Sequence, residues 1–271
     1  MNTPRIFDRK LYALRRARAS ESFLAVDAAQ AMAERIGGIN RRFVRALNLT
    51  ARAETRAIFG PLAEEWVETQ PGSVDEEALP FAPESFNLIV SVLSLHAVND
   101  LPGALIQIRR ALKPDGLFLA ALFGGETLRE LREAFAVGES ETVGGISPRV
   151  SPFADVRDLG GLLQRAGFTL PVADVERTTA RYTSFDNLVT DLRTLGETNV
   201  LAERSKKIPR RDTLAAMLSH YRANHADAEG RIAATFEIIY LAGWAPHDSQ
   251  QKPLAPGSAK VRLADALKST G

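Results

Sequence analysis

Cysteine is missing from all 271 positions. Disulfides, thiolate metal sites and a cysteine nucleophile are therefore excluded. Histidine is scarce as well. Only His96, His220, His225 and His247 are present, which is little material for an imidazole metal centre. His220 and His225 stand five apart, off the one-turn spacing of a helical ligand pair, and read as helix surface. No apolar run reaches the ~18–20 residues of a membrane helix. The longest, at 88–98 and 117–123, have the length of buried strands. A large net charge is also absent: 34 basic and 33 acidic residues leave +1. That balance does not indicate a nucleic-acid partner. Glycine does not occur between Gly38 and Gly60.

What is present is an ordinary globular composition, 45% hydrophobic and 25% charged. At ~150 residues per domain the length allows one domain or two. Charge is unevenly spread. Residues 1–45 carry ten Arg and Lys against four acids, and residues 61–100 carry eight acids and no base. The Arg-rich start lacks the serine content of a transit peptide, contains Asp8 and has no apolar signal core, so it reads as mature protein.

The pattern predicts helix across 5–36, with Phe7, Leu11 and Leu14 on one face and Arg15, Arg16 and Arg18 outside it, and Phe23, Ala28, Ala31 and Met32 continuing as a second helix stopped by Gly37-Gly38. Strands are predicted at 43–49 and 65–69. From 86 to 95 a near-continuous apolar run predicts a strand buried on both faces. A helix follows, capped by Asn99-Asp100 with Pro102 in its first turn. Lys113-Pro114-Asp115-Gly116 predicts a turn, and 117–123 the next strand. Strand, helix, turn and strand make a βαβ unit, the building block of parallel sheets. Further helices are predicted at 126–137, 154–166, 184–195 and 212–225. A Gly/Ser/Pro loop is predicted at 138–152, extended structure at 168–182 and a strand at 233–244.

Leu79-Pro80-Phe81, Phe86-Asn87-Leu88-Ile89-Val90-Ser91 and Leu112-Lys113-Pro114-Asp115-Gly116 resemble the second half of a class I S-adenosylmethionine-dependent methyltransferase. Smaller motifs narrow the likeness. Ile6-Phe7-Asp8-Arg9, Ser94-Leu95-His96, Phe123-Gly124-Gly125-Glu126-Thr127, Ser151-Pro152-Phe153, Leu195-Gly196-Glu197-Thr198-Asn199 and Gly243-Trp244 resemble the methyltransferase-like complex I assembly factors. The malonyl-carrier-protein methyltransferases are similar at greater distance. The resemblance implies a Rossmann-like α/β sheet, mostly parallel with one antiparallel strand. It implies S-adenosylmethionine at the carboxyl ends of the strands and a respiratory complex I subunit as partner. It also implies a cytoplasmic bacterial protein, peripheral to the inner membrane in one version, or a mitochondrial matrix protein in the alternative. Family members are associated with arginine hydroxylation.

Measured against that family, the cofactor half departs. Asn48 stands where the family has Asp, and Thr50 and Arg52 stand where it has Gly. A Cβ at a position of positive φ costs roughly 1 kcal/mol or more. Gln70 replaces the ribose-binding acid. Only Gly72, Ser73 and Val74 separate Pro71 from Asp75-Glu76, too few for a crossover of a dozen or more residues. The third, edge strand and its helix are thus expected to be missing. The new edge needs covering, and the acids at 75–77 are candidates to guard it. Asp75 and Glu76 match the family's adenine-side acids, with a solvated turn as the plain alternative. Ser91, Ser94 and His96 match the cofactor and substrate lip. His96 is the candidate catalytic residue by its near-neutral pKa, or a satisfied structural histidine. Gly124 and Gly125 mark a close approach to a ligand or a helix start. Trp244 and His247 form a partner rim or plain packing, and the basic N-terminal helix is a solvated face or a dock for an acidic partner. The expected organisation is a helical arm (1–42), a methyltransferase-like domain (43–250, with a helical insertion near 184–230) and a polar tail (251–271). Two functions follow: a partner-binding protein with weakened cofactor binding, or an active methyltransferase or arginine-modifying enzyme.

Overall fold

A computed structural model describes residues 5–49 and 51–251. Thr50 and positions 252–271 of the expected tail lie outside the described residues. The strands are β1 (Phe43–Leu49), β2 (Ala63–Glu68), β3 (Phe86–Val92), β4 (Leu112–Phe123), β5 (Thr169–Tyr182) and β6 (Ile232–Trp244). The helices are α1 (Arg9–Arg16), α2 (Phe23–Gly37), α3 (Ala53–Phe59), α4 (Leu101–Ala111), α5 (Arg129–Val143), α6 (Val156–Arg165), α7 (Phe185–Leu195) and α8 (Arg211–His225).

The strands form one sheet in the order β2-β1-β3-β4-β6-β5. All pairs up to β4 are parallel, and β6 runs antiparallel to both of its neighbours. This is the expected α/β architecture with one reversed strand. Leu88, Val90 and Val92 of β3 pack with α2, α5, α7 and α8 on one face. Ile89 packs with α4 and α6 on the other. Both faces are covered, which is why the central strands read as unbroken apolar runs.

The missing crossover is plain. Residues 69–85 form turns, and β2 is the edge of the sheet. The edge carries its own charges: Glu64 pairs with Arg42 at 2.7 Å, Glu65 with Arg45 at 3.2 Å, and Glu68 with Arg56. Such charges discourage strand addition. The acids at 75–77 do not guard this edge. Glu76 is buried and paired with Arg9. The Glu77 carboxylate accepts the backbone N–H groups of Asn99 (2.5 Å) and Asp100 (3.3 Å) before α4. The basic start and the acidic stretch thus partly neutralise each other within the chain.

Four local expectations change. The second helix expected from Phe23 is α2, but Phe7 lies ahead of both helices, in a bridge to Leu201. The buried face of α1 is Tyr12 and Arg16, whereas Leu14 is 56% exposed. Arg16 goes inside because α1 lies over strand carbonyls that need donors. The loop expected from Gly138 begins only after Val143, since Gly138 is a packing contact. A Cβ there would meet Met217 N at 2.8 Å and Thr213 O at 2.9 Å on α8. Finally, residues 113–116 form a bulge inside β4, with Leu112 opposite Phe86 and Leu117 opposite Leu88.

Candidate functional site

The strand order reverses between β1 and β3, and the crevice beyond their carboxyl ends is where doubly wound sheets bind ligands. Helix α1 lies across it. Asp8 caps α1 by accepting the Leu11 N–H at 3.0 Å, and the helix then carries Arg9, Tyr12 and Arg16 inward at i, i+3 and i+7. Arg16 donates to the carbonyl of Val92, the last residue of β3, at 3.4 Å. Tyr12 Oη approaches the carbonyls of Leu93 and Ser94 at 3.4 and 3.5 Å. Arg9 donates to Ala97 O at 2.9 Å and pairs with Glu76. Burial raises the Glu76 carboxyl above its usual range, and the Arg9 charge only partly opposes this.

These groups converge on Glu197, whose side chain is 9% exposed. It follows α7, which ends at Gly196 in the left-handed region. The carboxylate accepts from Tyr12 Oη at 3.1 Å, from Arg16 at 3.2 Å and from His96 Nε2 at 3.0 Å. Burial alone would raise its pKa; His96, Arg16 and Tyr12 outweigh burial and hold it below the ordinary carboxylate range. Burial also holds the Tyr12 phenol protonated, well above its ordinary value.

In the neutral tautomer that donates Nε2–H to Glu197, Nδ1 of His96 would carry a lone pair. That atom is buried and has no hydrogen-bond partner among the described residues. The ring lies against Phe123 (5.0 Å between centroids) and edge-on to Phe153 (5.5 Å). A histidine so held by a carboxylate has the geometry of a base with its orienter. It lacks an activated nucleophile: the Ser91 and Ser94 hydroxyls, both fully buried, bond each other at 2.9 Å.

Phe153 and Glu197 also line a cleft of about 610 Å³ between α5, α7 and the loop before α8. Its floor is apolar, with Leu131, Phe135, Phe185 and Leu192. Arg15, Arg149, Arg193, Arg204 and Lys206 surround it, and Glu197 is its sole acid.

The other cofactor candidates are spread around α1. Asn48, buried on β1, donates to Thr55 Oγ1 at 3.3 Å. Arg52 sends its guanidinium to Leu195 O (2.9 Å) and Ser20 O (2.6 Å) and pairs with Glu54. It thereby ties the glycine-free loop to the arm and to α7. Gln70 is exposed and lines a groove of about 670 Å³ with Arg16, Arg52 and Glu54. Asp75 and Glu76 line a smaller pocket of about 200 Å³ with Tyr12 and Arg16. Thr50 lies outside the described residues.

Gly124 ends β4 at this same edge, but its need for glycine is met within the fold: a Cβ would run into Glu237 Oε1 and stand 2.9 Å from Ile239 Cδ1. A Cβ on Gly125 would lie 3.7 Å from Phe153 O. Trp244 and His247 sit elsewhere. Trp244 pairs with Leu117 at the amino end of β4, under the Arg41 guanidinium (5.1 Å). His247 bonds Ser249 there. The two are therefore at the opposite end of the sheet from His96, because β6 is antiparallel and leaves the crevice behind. Tyr12, Arg16 and Glu197 were not singled out as site residues from sequence. For Glu197 the only signal was its place in the Leu195–Asn199 motif.

The comparisons with known proteins agree with this frame. Residues 11–120 match the methyltransferase domain family. The chain has the class I methyltransferase fold. It is 45% identical over 194 residues to arginine-hydroxylase NDUFAF5, mitochondrial, of Danio rerio, covering 72% of this chain and 60% of that protein. It is 46% identical to the Homo sapiens protein of the same name, covering 72% and 56%. A malonyl-[acyl-carrier protein] O-methyltransferase of Gallionella capsiferriformans is 34% identical, covering 65% and 58%. The chain thus spans somewhat over half the length of these relatives. The YcgJ protein of Bacillus subtilis shares the fold, with a TM-score of 0.54 at 15% identity, covering 81% of this chain and 98% of that one. Among the described residues, no helix of this protein is long and apolar enough to cross a membrane.

Proposed function

We propose that this methyltransferase-fold protein has filled its cofactor crevice with its own N-terminal arm and works by binding a protein partner. The observation that carries this is the Tyr12–Arg16–Glu197 network on the carbonyl ends of β3. There, Arg16 and Tyr12 satisfy groups that a ligand at the switch point would have to meet. Arg9 takes the Glu76 carboxylate, and Arg52 closes the loop that glycines would open. The pocket left beside Asp75 and Glu76, about 200 Å³, is below the ~300–1,000 Å³ of ordinary ligand sites. With α1 seated, the Asp75–Glu76 side of the crevice has no room for S-adenosylmethionine; the groove of about 670 Å³ beside Gln70 is large enough, but Arg16 and Arg52 put two cations along it, which oppose a sulfonium. By resemblance the partner is a respiratory complex I subunit, and the 610 Å³ cleft is the surface offered to it.

Calorimetric titration with S-adenosylmethionine and S-adenosylhomocysteine tests the reading. No binding at micromolar concentration is expected. Micromolar binding of either compound overturns it. The double change Asn48→Asp with Arg52→Gly should raise affinity only if the loop, rather than the seated arm, is the obstacle.

A second reading is favoured by the bare Nδ1 of His96 beside that cleft. In it the chain modifies a protein arginine or carboxyl group, with His96 taking the proton and Glu197 orienting it. The groove beside Gln70 would then admit the cofactor once α1 moves. Under this reading His96→Gln abolishes modification of the partner while leaving its binding intact.

A further inference from the structure

Outside the crevice, one cluster brings together side chains that the sequence spacing kept apart. His220 is on α8, and His225 is its last residue. On an ideal helix a separation of five turns two side chains about 140° apart. The chain leaves the helix at Ala226, which has extended backbone (φ −95°, ψ 148°). The two imidazoles come within 6.2 Å of each other, centroid to centroid. Glu133 on α5 meets both: Oε1 is 2.9 Å from His220 Nε2, and Oε2 is 3.2 Å from His225 Nε2.

We infer that Glu133, His220 and His225 form a binding site for one zinc ion, joining α5 to α8. Three observations support it. The donor atoms of all three lie within 4.8 Å of one another. Zinc held at ~2.0–2.1 Å by each donor spaces tetrahedral ligands about 3.3 Å apart. The two Glu–His separations are already near that value, and Glu133, at 53% exposed, is free to adjust.

Second, His225 Nε2 is a buried atom that makes no well-formed hydrogen bond despite its closeness to Glu133. A cation between the ring nitrogen and the carboxylate would engage both. Third, both histidines present Nε2. The Asn224 amide nitrogen donates to His220 O at 2.9 Å and lies 3.3 Å from His220 Nδ1, holding that side of the ring so that Nε2 faces Glu133. Arg129, one turn back on α5, is engaged by Glu126 and Glu130.

Two imidazoles and one carboxylate suit zinc better than magnesium or calcium, which take oxygen donors. Three protein ligands leave a position for water. The site is independent of the crevice and of the function proposed above.

The test uses the full chain purified without a histidine tag and stripped with chelator. Titration with zinc chloride at neutral pH, read by calorimetry and by elemental analysis after dialysis, should give one zinc per chain. Binding should weaken at least tenfold in His220→Ala, in His225→Ala and in Glu133→Gln, and stay unchanged in His247→Ala. Cobalt substitution should give the intense visible absorption of a tetrahedral ion, lost in the same three variants. Circular dichroism confirms that each variant is folded. Less than one zinc per chain in the parent, or equal affinity in the double variant His220→Ala, His225→Ala, overturns the inference.

Discussion

Replacing Arg16 by Met removes the charge while keeping most of the side-chain volume. Arg16 is 1% exposed and Glu197 9%, so the pair is screened little by water. Breaking a buried pair by removing one partner costs about 3–5 kcal/mol, because the other charge is left uncompensated. His96 and Tyr12 still donate to Glu197, which places the expected loss near the lower end, about 3 kcal/mol. At about 2–4 °C per kcal/mol for a domain of 150–250 residues, Tm should fall by roughly 6–12 °C. Denaturant unfolding of Arg16→Met, Glu197→Gln and the double variant forms a cycle. The double variant should recover a large part of the loss, since the remaining buried group is neutral. A loss under about 1 kcal/mol in Arg16→Met would put the pair among ordinary surface ion pairs. Strict additivity in the cycle would equally refute the argument that the arm is held by this charge pair.

The same carboxylate sets a pH dependence. Its pKa is held below the usual value in the folded chain. Its contribution is therefore complete above the unfolded pKa of about 4.3 and is lost as pH falls through the folded value. Stability measured from pH 7 down to 3 should fall more steeply in the parent than in Glu197→Gln. Gly138→Ala should destabilise by about 1–3 kcal/mol and loosen α5 from α8, since the new Cβ meets α8 backbone rather than a side-chain end; hydrogen exchange across the two helices reads this. Gly72→Ala tests the seating of α1. Gly72 has φ +77°, and a Cβ there would stand 2.7 Å from the Ala13 Cβ. Faster exchange of the α1 amides is expected, with the sheet amides unchanged.

Much of the sheet was legible in the residues. The runs at 86–92 and 117–123 are continuous because helices cover both faces of the central strands, and a helix between two such runs leaves a parallel pair as the ordinary solution. The lost strand was legible by counting, since residues 69–85 must hold turns and have no room for a helix and a strand. His96 was legible by its place at a strand end. Its partner was not, because Glu197 arrives from a loop 101 residues later. Trp244 and His247 stand at and beyond the end of the last strand, as read from sequence, but which end of the sheet that is was not legible, because sequence motifs do not say where a reversed strand finishes.

The sequence by itself determined the layers, the parallel order of the central strands and the shortened cofactor half, all of which follow from periodicity, run length and residue count. Only the tertiary structure decided what fills the crevice. Helical periodicity marks Arg15, Arg16 and Arg18 as the polar side of α1, and polar residues ordinarily face water. Here Arg16 turns inward because the end of a β-strand and a buried carboxylate both require donors. That requirement arises between residues 76 and 181 positions apart. The same holds for His225, whose approach to Glu133 depends on where α8 ends and on what α5 places beside it.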